Sequence, residues 1–254
     1  SILINTLFVN SDLTNVDLTS SDLTNSNFSN ANLENSNFTG ANFTSANFTQ
    51  VNFLNANLTN TILNLVRGNL VACPQSLPNN WICLEDIGDG DDNYLVGSGA
   101  DLSGADLTGA DLSEQFLSYV SFNLSGCPAD LPDSWVCFEN IGDGDDNYIV
   151  GPGFDLTGAD LREADLSGVD LTEVSGKLMA CPSTLPVGYK CSENTNLYII
   201  GPSIDLTGAD LSGADLSDID LSGVKLEDAI LTNIIIKNTK FSTKTNLKDA
   251  QISD

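Results

Sequence analysis

The segment Ala100–Ser113 reads ADLSGADLTGADLS, a five-residue unit written almost three times with little more than a Ser/Thr exchange. A globular core cannot repeat in this way, because each of its positions meets different neighbours. The same period organises the start of the chain. Large apolar residues run from Phe8, Leu13 and Leu18 to Phe53, Leu58 and Leu63, five apart without a slip. Two residues before each stands something small or β-branched, such as Val16, Ala31, Ala41 or Ala56, with Asp or Asn between the two and Ser or Thr commonly after.

Neither a helix of period 3.6 nor a flat strand of period 2 sustains a period of five. A short strand followed by a corner does. The small and the large residue lie two apart and so share one face, while the Asp or Asn between them points the other way. The fifth residue turns the chain, and Gly, Ser and Asn tolerate that geometry. Repetition winds the backbone into a coil with Leu and Phe inside and Asp, Asn, Ser and Thr outside, successive coils pairing as strands about 4.8 Å apart.

The A-[DN]-[LF]-[ST]-x pattern, clearest in TGADLSGADLSDIDLSG from Thr207 to Gly223, resembles the pentapeptide-repeat family. The resemblance implies an all-β fold, a right-handed quadrilateral parallel β-helix with four pentapeptides per turn. It covers four blocks, Ser1–Val66, Ala100–Phe122, Phe154–Ser175 and Ile204–Ser253, read as one β-helical domain over 1–254. The last block slips by one residue between Phe241 and Leu247. The family serves unrelated purposes, so the likeness implies a fold and leaves the function open.

Three segments interrupt the coil, at 69–97, 123–151 and 177–201. They share C-P-x-x-L-P-x-x-[WY]-x-C followed by Y-[LI]-[VI]-G, a pattern that suits a loop or hairpin packed on the coil's flank. Cys73, Cys127 and Cys181 are 54 residues apart, as are Cys83, Cys137 and Cys191, so one coil block and one insertion form a longer repeat. Six cysteines in three matching contexts read most simply as three local disulfides, with reduced buried thiols as the other reading. Zinc is a poorer fit, because each site offers two thiols and the chain has no histidine. Disulfides persist outside the reducing cytosol, so an extracellular or otherwise oxidising compartment is expected. Ser1 follows no basic leader region, which fits a cleaved leader or a fragment.

Charge narrows the partners. Against 35 acidic residues stand 9 basic ones, a formal net of −26. Phosphates would be repelled, so a general nucleic-acid binder is excluded. No run of 18 apolar residues exists, so no membrane span is expected.

Two motifs stand out beyond the repeat. GDGDDN occurs at Gly88–Asn93 and again at Gly142–Asn147, so Asp89, Asp91 and Asn93 alternate, as do Asp143, Asp145 and Asn147. These resemble the opening of a calcium loop, but Tyr94 and Tyr148 occupy the glycine position and no glutamate closes the loop. A partial calcium turn is the one cofactor reading, against a plain acidic hairpin tip. Glycan-acceptor sequons fall at Asn27, Asn37, Asn42, Asn47, Asn57 and Asn123, although an [AS]-N-[LF]-T repeat generates them by itself. The first block prefers Asn where later blocks carry Asp.

No catalytic constellation is visible: there is no histidine base, and the many carboxylates belong to the repeat. A non-enzymatic structural protein is therefore expected, a secreted subunit stacking end to end on copies of itself into a filament, sheath or appendage. Both ends of the sequence run straight into the repeat, and an uncovered β-edge invites pairing. Lys225, Lys237, Lys240, Lys244 and Lys248 crowd the last thirty residues, whereas Arg67 is the first basic residue. The alternatives are a polyanion mimic, since some members of the resembled family inhibit DNA gyrase, and a calcium- or glycan-binding surface module.

Overall fold

Ala41, Asn42, Phe43, Thr44 and Ser45 show how one unit is built. Ala41 and Phe43 are fully buried, and Asn42 between them faces outward. Ala46 then donates its N–H to the Phe43 carbonyl at 2.8 Å, closing a β-turn around Thr44 and Ser45. Ser45 has φ +60°, and the same left-handed conformation recurs at Asn5, Asn10, Asn15, Asn25 and Asn30. Asn is among the few L-residues that visit this region at low cost, which is why it is common at the fifth position. Leu65 and Gln50 adopt it too, held there by the coils on either side.

The computed structural model describes residues 1–88, 92–115, 117, 124–141, 146–192 and 196–253. The chain forms two units, Ser1–Asp133 and Ser134–Asp254. In both, parallel bridges join residues twenty apart, so four pentapeptides complete a coil and the fold is a β-helix. In the first unit Ile2 pairs with Asp22, Asp22 with Asn42 and Asn42 with Ile62. In the second, Asp205 pairs with Lys225 and Asp220 with Lys240. The expected slip in the last block is real: Lys225 pairs with Asn246, twenty-one residues on, and the extra residue is absorbed at the Ser242–Thr245 corner.

The first unit's interior is a continuous apolar column. Leu23, Phe28, Leu33, Phe38, Phe43, Phe48, Phe53 and Leu58 are all essentially inaccessible. Phe43 lies 5.1 Å from both Phe38 and Phe48, ring centre to ring centre. Each such side chain contributes about 1.5–3 kcal/mol by leaving water. The second unit uses Leu at the same places, as in Leu206, Leu211, Leu216 and Leu221.

The coil register continues into the opening of the first insertion. Strand β1 (Val51–Asn52) pairs in parallel with β2 (Leu70–Ala72), and Asn57 bridges Ser76. Beyond this the chain leaves as a hairpin of β3 (Ile82–Ile87) and β4 (Asp92–Val96), antiparallel to each other, with β4 returning beside β2. Leu77 and Trp81 pack against the core cluster. The second unit has hairpins β5 (Val136–Ile141) with β6 (Asp146–Val150) and β7 (Lys190–Cys191) with β8 (Ile199–Ile200). Near its end, β9 (Ile230–Thr232) pairs in parallel with β10 (Gln251–Ser253).

The glycine of Y-[LI]-[VI]-G is dictated by the aromatic ten residues or more before it. A Cβ on Gly97 would stand 2.7 Å from Cγ and Cε2 of Trp81, one on Gly151 2.6 Å from the same atoms of Trp135, and one on Gly201 2.7 Å from Cγ and Cε1 of Tyr189, with a further ring atom nearer still in each case. The ring of each insertion thus lies flat on bare backbone. No cysteine is free. Cys73 bonds Cys83 and Cys181 bonds Cys191, with Cα atoms 5.9 and 6.1 Å apart, and Cys127 and Cys137 are disulfide-bonded as well. Replacing Cys181 and Cys191 by serine is expected to weaken that hairpin by about 2–3 kcal/mol, because so short a loop is closed. Limited proteolysis should then cut between them first; an unchanged cleavage pattern would contradict this.

Candidate functional site

The outward Asp and Asn side chains are corner braces before they are anything else. Asp17 Oδ1 accepts the Thr19 hydroxyl at 2.6 Å and the Thr19 backbone N–H at 3.0 Å. Asn42 does the same with Thr44, and Asp155 with Thr157. This is the physical reason for Ser or Thr two positions after the acid or amide: the side chain holds the turn that the backbone needs. The same bonds favour the charged form, so the Thr14, Thr19 and Ser113 hydroxyls and amides hold Asp12, Asp17 and Asp111 below the usual carboxylate range.

Columns of outward residues run up each face, and their order is selective. In the first unit Asp12 is followed by Asn32 and Asn52, Asp17 by Asn37 and Asn57, and Leu7 by Asn27, Asn47 and Arg67. Stacked amides bond along the column, Asn52 Nδ2 donating to Asn32 Oδ1 at 3.0 Å. In the second unit the cross-coil neighbour of Asp155 is Ser175, of Asp160 Ala180, of Asp165 Thr184 and of Asp210 Ile230. Where a charge does follow, it is a lysine. Lys225 Nζ lies 3.2 Å from Asp205 Oδ2 and 3.7 Å from Glu173, and Lys240 Nζ 2.6 Å from Asp220 Oδ2. Among the described residues a single isolated bridge, Asp111 with Asp130, sets carboxylate against carboxylate. With that one exception, the described acids of a chain with net charge −26 do not face one another across isolated bridges between coils, where they would repel.

Lys240, with Ser222, pushes Asp220 down to about 2. A depressed carboxyl stabilises the fold above its unfolded value near 4, and that contribution is lost as pH falls through the folded value. Lys240→Gln is expected to return Asp220 toward the ordinary range in an NMR titration; an unmoved titration would show that Ser222 alone sets it.

The sequence-derived sites distribute as follows. Asp89, Asp91, Asp143, Asp145 and Asn123 lie outside the described residues. Asn93 is buried: its Oδ1 accepts the Asp86 N–H at 3.1 Å, and its Nδ2 donates to the Leu70 and Val71 carbonyls. Asn147 Oδ1 accepts the Asn140 N–H at 3.0 Å in the same way. These amides brace the turn end of each hairpin, a role the alternation of oxygen ligands did not suggest. Among the described residues no group of three or more His, Cys, Asp or Glu could hold a metal ion. Asn27, Asn37, Asn42, Asn47 and Asn57 are half-buried, and each has its Oδ1 committed to the Ser or Thr of its own sequon. Burial, followed by the nearby Asp92, pushes the Tyr94 phenol up. Among the described residues no helix is long and apolar enough to cross a membrane.

Comparison with known protein families agrees with this architecture. The family model of pentapeptide repeats matches in eight copies, over residues 1–30, 26–64, 97–127, 152–175 and 204–242. Among solved structures the chain is similar to HetL, a pentapeptide repeat protein involved in heterocyst differentiation regulation from the cyanobacterium Nostoc sp. strain PCC 7120. That match is 22% identical over 98% of this chain and 86% of that one, with a TM-score of 0.19. Full-length QnrB1, a plasmid-mediated fluoroquinolone resistance protein, is 14% identical over 100% and 94% of the two chains, with a TM-score of 0.25. No curated protein matches the sequence.

Proposed function

Because the chain belongs to the pentapeptide-repeat family, we propose that it is a non-enzymatic structural subunit of an oxidising, extracellular setting, which stacks coil on coil with further copies of itself into a filament or sheath. The observation that carries this reading is the twenty-residue register itself. Parallel bridges join each coil to the next, Ile2 to Asp22, Asp22 to Asn42 and Asn42 to Ile62, so that the edge of one coil is the strand partner of another. A second copy stacked in the same register would extend both the apolar column and the ladder of parallel pairs.

The disulfides support the compartment. The engagement of outward acids in their own corners supports a structural rather than a catalytic use of the carboxylates. Sedimentation and electron microscopy of the oxidised protein over a wide concentration range test the proposal. Lengthening particles of constant width are expected, and a strictly monomeric species at the highest concentration would overturn the stacking.

A further inference from the structure

Two surface grooves occupy matching places in the 54-residue repeat, one in each unit. The first, of about 280 Å³, is walled by Gly68, Asn69, Tyr94 and the corner from Asp101 to Ala105. The second, of about 410 Å³, has Gly176, Lys177, Tyr198 and the corner from Asp205 to Ala209 in the corresponding positions. Every residue that walls the smaller groove therefore has its counterpart in the larger one. The larger is extended by Asp155, Thr157 and Ser175 of the adjoining coils, where Asp155 bridges Ser175. Its volume falls in the range of small-molecule sites, about 300–1,000 Å³, and the first lies just below it.

The floor of each groove depends on a glycine. A Cβ on Gly68 would come within 2.5 Å of the Thr49 backbone nitrogen, and one on Gly176 within 2.5 Å of the Thr157 nitrogen. The acid at each rim is fixed before any ligand arrives. Asp101 Oδ1 accepts the Ser103 hydroxyl at 2.6 Å, and Asp205 Oδ1 accepts the Thr207 N–H at 3.0 Å.

What both grooves share decides the ligand class. Each has one carboxylate from the corner, one Ser or Thr hydroxyl, one tyrosine and one N–H donor. The donor is an amide at Asn69, bonded to Asp92, and an ammonium at Lys177, bonded to Asn196. A metal ion would meet the Lys177 charge in the larger groove, and an anion such as phosphate would meet Asp101 in the smaller one, so neither suits both. A neutral ligand that presents alternating hydroxyl donors and acceptors beside an apolar ring face suits both. We infer that the two grooves are saccharide-binding sites, each taking one sugar ring or a short run of linked rings. Adjacent hydroxyls donate to the Asp carboxylate, accept from Asn69 or Lys177, and pack against the tyrosine. This reading stands apart from coil stacking and survives if the chain is monomeric.

The test is NMR titration of isotope-labelled protein with tetrasaccharides of glucose, of N-acetylglucosamine and of mannose. With at least one of them, the amides of Ser103, Gly104, Thr207 and Gly208 are expected to shift and saturate together. Asp205→Asn keeps the corner, since the first block uses Asn in that role, and is expected to weaken the second groove about tenfold while the first responds as before. Tyr198→Ala removes the ring against which the sugar packs and should weaken it as well, whereas Tyr198→Phe, which keeps the ring, should not. Absence of saturable shifts with all three sugars, saturation of these amides by calcium chloride or sodium phosphate instead, or unchanged affinity in both Asp205→Asn and Tyr198→Ala would overturn the assignment.

Discussion

A chain carrying Asn32→Asp together with Asn52→Asp is expected to melt well below the parent at neutral pH and to approach it in acid. Residues 32 and 52 are cross-coil neighbours, with Asp12 next in the same column, so the double variant sets three carboxylates in a row. Strands pair about 4.8 Å apart, and two unit charges at about that distance repel by roughly 1–3 kcal/mol between bulk water and a surface-like dielectric. The amide bond from Asn52 to Asn32 is lost as well. The sign follows from linkage. Neighbouring carboxylates raise one another's folded pKa above the unfolded value, so the penalty is complete at neutral pH. It fades as pH falls and the column takes up protons. Added salt should narrow the gap at pH 7. The reverse exchange, Asp165→Asn, has Thr184 as its cross-coil neighbour and should leave the melting temperature unchanged. Thermal melts at several pH values check both; a deficit in the double variant that does not depend on pH would refute the electrostatic account of the columns.

Phe43→Ala is expected to cost about 3–5 kcal/mol, as large-to-small changes of fully buried aromatics do. Its ring touches the rings of Phe28, Phe38 and Phe48, so the void opens in the middle of the column, where neighbours on three sides hold the walls apart. Phe8→Ala should cost much less, because Phe8 is partly exposed and stacks on Phe28 from one side. Phe43→Leu should fall between, at about 1 kcal/mol, since it leaves a smaller gap and coils of the second unit are built with leucine at this position. Chemical denaturation of the three variants gives the order directly. Equal costs at Phe8 and Phe43 would mean that the column is not closed in its middle.

The period of five contained the coil, because a strand and a corner of fixed length leave one way for small and large apolar residues to share a face. It also contained the outward direction of Asp and Asn and the turning role of the fifth residue, which the left-handed φ values at Asn5, Asn10 and Ser45 express. The slip near Phe241 was legible for the same reason: a lost phase is visible wherever a strict period precedes it. Legible, too, were the insertions as loops or hairpins, since C-P-x-x-L-P-x-x-[WY]-x-C followed by Y-[LI]-[VI]-G recurs three times.

The tertiary structure decided what depends on residues twenty apart, a distance at which a period of five no longer singles out a partner. It showed why the first block carries Asn. Three consecutive coils stack there without interruption, so each outward residue has cross-coil neighbours that must not all be charged. Where a block is one coil long, successive acids such as Asp101, Asp106 and Asp111 stand on different faces, and their cross-coil neighbours come from elsewhere in the chain. Likewise, Asn93 and Asn147 looked like ligands because spacing alone cannot show that a side chain is already bonded to the backbone of its own hairpin. The sequence alone determined the coil, because local sterics act within one pentapeptide; the structure alone decided the columns and the grooves, because repulsion and cavity shape arise between coils that only winding brings together.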